Sequence, residues 1–225
     1  MSARSDVVFL VDCDNTLLDN DRVEKDLREH LAHEFGPENC DRYWKIFETL
    51  RSELGYADYL GALQRYRIDA MSDPKLLQMS FFLVDYPFAR RLYPGALAAM
   101  AHLRRLGLTV VLSDGDVVFQ PRKVERSGLL ESVERNVLIY VHKELELEDV
   151  ERRYPAERYV MVDDKLWLLH AIKSHWGSRV TTVWPKQGHY VTDPRVHSLA
   201  APDVTIERIG GLLGWTMEDL AAAAT

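Results

Sequence analysis

Val7-Val8-Phe9-Leu10-Val11-Asp12-Cys13-Asp14-Asn15-Thr16-Leu17-Leu18 is an apolar run that stops in two carboxylates two positions apart, followed by a threonine. A Val-rich run of this length, bounded by polar residues, predicts a fully buried parallel strand. Open α/β sheets bind their ligands at the carboxyl ends of such strands. In an extended chain the side chains at i and i+2 project the same way, so Asp12 and Asp14 are expected to converge on one point. Two acids held together at the edge of a core repel each other unless a cation lies between them, and Mg2+, a hard and oxygen-seeking ion, suits the pair. On these residues alone a competing reading stands beside it: a strand end capped by Asp and Thr side chains before a turn.

Three later apolar runs end in the same manner. Thr109-Val110-Val111-Leu112 leads into Ser113-Asp114-Gly115-Asp116, Val137–Val141 is followed by His142-Lys143, and Tyr159–Val162 runs into Asp163-Asp164. Taken in order, these four strand ends resemble motifs I to IV of the haloacid dehalogenase superfamily, and the resemblance covers essentially the whole chain. It implies an α/β fold, a three-layer Rossmann-like parallel sheet with an inserted α-helical cap. Most members of the superfamily are phosphatases or phosphotransferases.

Composition is consistent with this. At 225 residues and 47% hydrophobic content the chain can bury a proper core. A net charge of −7 with no basic run argues against nucleic-acid binding and favours a small-molecule substrate. No apolar run approaches the ~18 residues of a membrane span, and no signal-peptide core precedes the first strand. Cys13 and Cys40 are the two cysteines; they read as free thiols, and a cytoplasmic location is expected. Cys13 reads as a small core residue whose side chain points away from the two acids.

From Asp19 to about Pro87 the pattern is helical. Leu27, Leu31 and Phe35, then Tyr43, Trp44, Phe47 and Leu50, recur at three- and four-residue steps, and no convincing strand intervenes. Breaks are expected at Gly36-Pro37, Asp73-Pro74 and Tyr86-Pro87. Residues 19–87 are therefore expected to form the helical cap, with 1–18 and 88–225 as the core domain. The hinges are expected around 19–21 and 86–91. Trp44 and Phe47 read as the interior of the helical insert. Beyond it, helices (96–106, 120–127, 144–153, 166–175) alternate with strands (108–112, 137–141, 159–162, 180–183), an edge strand over 203–206 and a closing helix. Such spacing implies parallel pairing with crossover connections.

Roles follow from what the resemblance implies. Asp12 is the nucleophile that attacks phosphorus, and Asp14 protonates the leaving alcohol and then activates water. Ser113 hydrogen-bonds the phosphoryl oxygens and Lys143 balances their charge. Asp114 is a further candidate for phosphate or substrate contact. Asp12, Asp164 and the Asp14 backbone carbonyl hold Mg2+, with Asp163 beside them as a direct or water-mediated ligand. Ser113 has a rival reading as a turn cap. Lys123 competes with Lys143 for the motif III role but reads as a solvated charge in mid-helix, and His142 reads as a polar strand end.

The chain departs from the usual pattern in three places. Asp114 stands where Asn is frequent, Glu144 where Pro is frequent, and Leu168 and Leu169 occupy the neighbourhood of a third motif IV acid. The expected activity is a Mg2+-dependent phosphomonoesterase acting on a small phosphate ester. Asp14 argues for phosphoryl transfer, because halide leaves without protonation. A mutase or other phosphotransferase, a haloacid dehalogenase-like hydrolase, and a non-catalytic binder of a phosphorylated ligand are the alternatives. Arg42, Lys45, Arg51, Tyr56, Tyr59, Arg90 and Arg91 are candidates for substrate contact.

Overall fold

A computed structural model describes residues 5–68 and 74–222. The opening apolar run forms β1, Ser5–Val11. It is joined by β2 (Leu108–Asp114), β3 (Val137–Tyr140), β4 (Ala156–Val162), β5 (Val180–Pro185) and β6 (Val204–Ile206). Every pairing is parallel, and the order across the sheet is β3-β2-β1-β4-β5-β6. The order reverses at β1, where Val11 pairs with Val111 on one side and Val162 on the other. Asp12, Ser113 and Asp163 therefore emerge at one edge of the sheet, in the crevice where such sheets bind ligands.

The helices in chain order are α1 (Asn20–Phe35), α2 (Pro37–Leu54), α3 (Tyr59–Ile68), α4 (Lys75–Asp85), α5 (Ala96–Leu106), α6 (Phe119–Arg126), α7 (Leu129–Ser132), α8 (Leu147–Arg153), α9 (Leu166–Trp176) and α10 (Met217–Ala222). β1 has apolar residues on both faces, and each face meets a helical layer. Val7, Phe9 and Val11 share a core with Ala99, Met100 and Leu103 of α5 and Leu129 of α7. Val8 and Leu10 share the other with Leu147 and Val150 of α8 and Leu169, Ile172 and Trp176 of α9. This two-sided burial is what the unbroken apolar run predicted, and it yields the three-layer α/β fold.

Helices α1 to α4 stand between β1 and α5. Asp19 caps α1 by accepting the Arg22 N–H at 2.9 Å, and Pro37 opens α2 at the predicted break. Leu27, Leu31, Tyr43, Trp44 and Phe47 are buried, with Trp44 edge-on to Phe47 at 5.1 Å between ring centroids. The helix-spaced aromatics are thus core. The Asp73-Pro74 turn falls partly outside the described residues, since Asp73 is not among them. The chain leaves the sheet and returns to it side by side: Asp19 N–H donates to the Arg91 carbonyl at 2.7 Å and Tyr93 N–H to the Leu17 carbonyl at 2.9 Å.

Three expectations need correction. The helix expected over 144–153 is a 3-10 turn at Lys143–Leu145 followed by α8. Its break lets the Lys143 backbone N–H meet the Asp114 carboxylate at 2.9 Å. The strand expected to reach Val141 stops at Tyr140, the last residue to pair with β2, opposite Asp114. In place of a single closing helix, a 3-10 segment, Ile209–Gly214, precedes α10, because glycines at 210, 211 and 214 weaken the helical preference. No helix among the described residues is long and apolar enough to cross a membrane.

Candidate active site

Lys143 lies at the centre of the site. Its ammonium, fully buried, donates to Asp12 Oδ1 at 2.5 Å and to the Leu112 carbonyl at 3.2 Å, and it stands 2.6 Å from Asp163 Oδ2. Burial alone would strip its charge, but Asp12, Asp163 and Asp114 outweigh it and hold the ammonium protonated well above the ordinary lysine range. The structure thus places Lys143, and not Lys123, beside the first carboxylate.

Asp12, Asp163 and Asp164 are buried, and oxygens from all three lie within 4.8 Å of one another. Asp163 Oδ1 accepts the Lys165 N–H at 2.8 Å. Asp12 Oδ2 and both oxygens of Asp164 have no hydrogen-bond partner. Burial pushes the Asp12 carboxyl up to about 7 despite the pull of Lys143, with Asp163 adding to the rise. Burial also raises Asp164 far above the carboxylate range, reinforced by Asp163 and Asp12. Three buried acids facing one ammonium carry excess negative charge, and buried polar groups without partners are costly. A divalent cation with oxygen ligands would partner the orphaned oxygens and restore the charged forms, so the residues present fit a metal. The Asp164 backbone is held for this by Thr16, whose Oγ1 accepts its N–H at 3.0 Å, and by Trp184, whose indole N–H donates to its carbonyl at 2.8 Å.

Asp14 does not join this cluster. The expected convergence with Asp12 fails because β1 ends at Val11 and the chain turns at Asn15, whose φ is +58°. The Asp14 carboxylate instead takes the Lys123 ammonium on both oxygens, at 2.7 and 2.8 Å. Lys123, read from the sequence as a solvated charge, is only 1% exposed. Its helix α6 is amphipathic and lays Phe119, Gln120, Lys123 and Val124 inward. Gln120 Nε2 bridges Ser113 Oγ at 2.9 Å and Asp14 Oδ2 at 3.3 Å. The i, i+3 spacing of Gln120 and Lys123, with Phe119 and Val124 beside them, was the available signal for a buried polar face.

Ser113 is 1% exposed; beyond a weak 3.2 Å contact to the Asp114 carbonyl its hydroxyl accepts from Gln120. Asp114 lines the cavity of the site and is engaged by two lysines. Burial opposes its charge, yet Lys143 and Lys165, with the Lys143 N–H, hold it below the usual carboxylate range; Lys165 Nζ lies 3.3 Å away. Asp116 caps α6 by accepting the Val118 and Phe119 N–H groups, each at 2.7 Å. Burial pushes the Cys13 thiol up, in keeping with an inert core residue.

A cavity of about 360 Å3 opens beside these groups. Asp14, Asp114, Lys123, His142 and Lys165 line it from the sheet side, and Asn20, Glu24, Arg51, Tyr56 and Tyr59 from the helices above. Of the expected substrate contacts, Arg51, Tyr56 and Tyr59 therefore reach it. Arg42, Lys45, Arg90 and Arg91 do not; Arg42 stacks on Tyr66 at 4.9 Å and Arg91 binds Asp26.

No curated protein matches the chain. The profile of the haloacid dehalogenase-like hydrolases matches residues 7–175. A crystal structure described as a haloacid dehalogenase-like hydrolase from Burkholderia xenovorans LB400 is 64% identical, with 94% of this chain and 99% of that one covered and a TM-score of 0.89. Magnesium-bound YfnB from Bacillus subtilis, described as a HAD-hydrolase, is 14% identical with a TM-score of 0.61, covering 95% of this chain and 100% of that one. An L-2-haloacid dehalogenase is 17% identical with a TM-score of 0.61, covering 91% and 96%. The last two likenesses speak for the fold alone. The length of the profile match and the identity to the Burkholderia protein place this chain in the haloacid dehalogenase-like hydrolase family.

Proposed function

We propose that this hydrolase is a Mg2+-dependent phosphomonoesterase acting on a small phosphorylated metabolite. The observation that carries the reading is the set of buried carboxylate oxygens without partners on Asp12 and Asp164, a demand for a cation that halide displacement does not make. YfnB, of the same fold, binds magnesium. Asp14 supports the same reading, because an alkoxide leaving group needs a proton and a halide does not.

Asp12, Asp164 and the Asp14 backbone carbonyl would hold Mg2+, with Asp163 beside them. The ion supplies electrostatic relief of the phosphoryl charge and alignment of the reacting groups. In the first step an Asp12 oxygen bonds to phosphorus as the ester P–O bond breaks, and Asp14 gives its proton to the departing alcohol. In the second, Asp14 takes a proton from water, the water oxygen bonds to phosphorus, and the Asp12–phosphorus bond breaks to release inorganic phosphate. Lys143 balances the charge on Asp12, and Ser113 donates to the transferring group by turning its hydroxyl hydrogen away from the Asp114 carbonyl while still accepting from Gln120. Helices α1 to α4, as a cap, set the substrate range through Arg51, Tyr56 and Tyr59.

Phosphate release from p-nitrophenyl phosphate and a panel of metabolite phosphates, with Mg2+ and with EDTA, tests this. Metal-dependent hydrolysis lost in Asp12→Asn is expected. Chloride release from 2-chloropropionate without phosphate release would overturn it in favour of dehalogenation.

A further inference from the structure

We propose that Lys123 is a positioning residue that makes the placement of Asp14 depend on how the first turn of α1 is seated. An ammonium has three N–H donors. Those of Lys123 are matched by three acceptors: both Asp14 oxygens at 2.7 and 2.8 Å, and Asn20 Oδ1 at 2.9 Å. With the side chain buried, Lys123 has no donor to spare for a phosphate, which separates its task from that of Lys143. It touches no substrate and acts through Asp14.

Asn20 is the first residue of α1. Its backbone N–H donates to Asn15 Oδ1 at 3.0 Å, and it lines the cavity alongside Tyr59 of α3. A chain of polar contacts thus runs from Asn20, at the start of α1, through Lys123 to Asp14, crossing from the helical insert to the sheet edge. Its members are buried or line the cavity, where a polar partner is costly to lose. Gln120, one turn earlier on α6, adds a second tether to Asp14 Oδ2. With both oxygens engaged, Asp14 reaches a leaving group only by changing partners. A shift of α1 that moves Asn20 relocates the ammonium that holds Asp14. Coupling of this kind is reciprocal: what loosens Asp14 also loosens the start of α1.

The inference rests on the phosphoryl-transfer reading only for its kinetic arm. Lys123→Met would strip the part-buried Asp14 carboxylate of its ammonium and overturn the buried face of α6, so two other variants carry the test. In Asp14→Asn the new amide N–H groups face the ammonium, donor against donor. Amide exchange at residues 20–23 is then expected to quicken at least severalfold, whether or not the protein turns over any ester. In Asn20→Ala, which keeps the Lys123–Asp14 contact, kcat is expected to fall about tenfold with KM within about twofold, and more phosphoenzyme to survive acid quench. Unchanged exchange in Asp14→Asn overturns the proposal outright. So does an unchanged kcat in Asn20→Ala when the wild type is active. If the wild type releases no phosphate from any ester, the preceding functional reading falls, and the exchange arm still decides this one.

Discussion

The Lys143 ammonium lies 2.5 Å from Asp12 Oδ1, with the lysine side chain wholly buried and that of Asp12 only 3% exposed. Removing one partner of such a buried pair leaves an uncompensated charge. Lys143→Met is therefore expected to lose about 3–5 kcal/mol of folding stability. The urea midpoint checks this, and added Mg2+ should recover part of the loss by neutralising the same acids.

The orphaned oxygens of Asp164 predict a stabilising response to metal. At Mg2+ about a hundredfold above its Kd, binding contributes about 2.7 kcal/mol, or roughly 5–10 °C in Tm for a chain of this size. Asp164→Ala should melt at the same temperature with Mg2+ or with EDTA. An equal Mg2+ shift in that variant would remove Asp164 from the ligand set.

Asp26 of α1 accepts hydrogen bonds from Tyr86 and Arg91 and pairs with Arg22 at 2.9 Å. Burial would raise its carboxyl, but these partners hold it below the usual 3.8. A depressed folded value means the stabilisation is present above the unfolded value and is lost as pH falls through the folded one. Wild type should therefore exceed Asp26→Asn in stability at neutral pH, and the gap should close below about pH 4. Denaturant midpoints of both proteins at pH 7, 4 and 3 check it.

Gly188 has φ +67°, and a Cβ there would lie 2.6 Å from the Asn15 Cβ. Asn15 is itself held at positive φ and binds the Asn20 and Asp21 N–H groups. Gly188→Ala is expected to cost about 1–3 kcal/mol and to disturb α1 at its first turn, seen as faster amide exchange there.

The strands that carry the site were legible because each is an apolar run stopped by a polar pair, and two-sided burial leaves that signature in any register. The acids at those stops were legible for the same reason. The fate of Asp14 was not: the i, i+2 rule holds only while the chain is extended, and after the Asp12 N–H bonds the Val162 carbonyl the chain leaves the sheet and turns at Asn15. Lys123 was hidden by Arg122, Glu125 and Arg126 around it, which make α6 read as solvated. Only the Asn20 and Asp14 partners, more than a hundred residues upstream, explain its burial. Arg51 and Arg42 looked alike in sequence, and the packing of α2 alone separates the one that reaches the cavity.

The paired crossings at Leu17–Asp19 and Arg91–Tyr93 carry a consequence for how such chains are built. Leu18 and Leu92 bridge each other antiparallel, so the two ends of everything from Asp19 to Arg91 are already neighbours. A short turn joining those ends would leave every strand pairing of the sheet as it is. The helices between them are thus an excursion from the sheet that departs and returns at a single place.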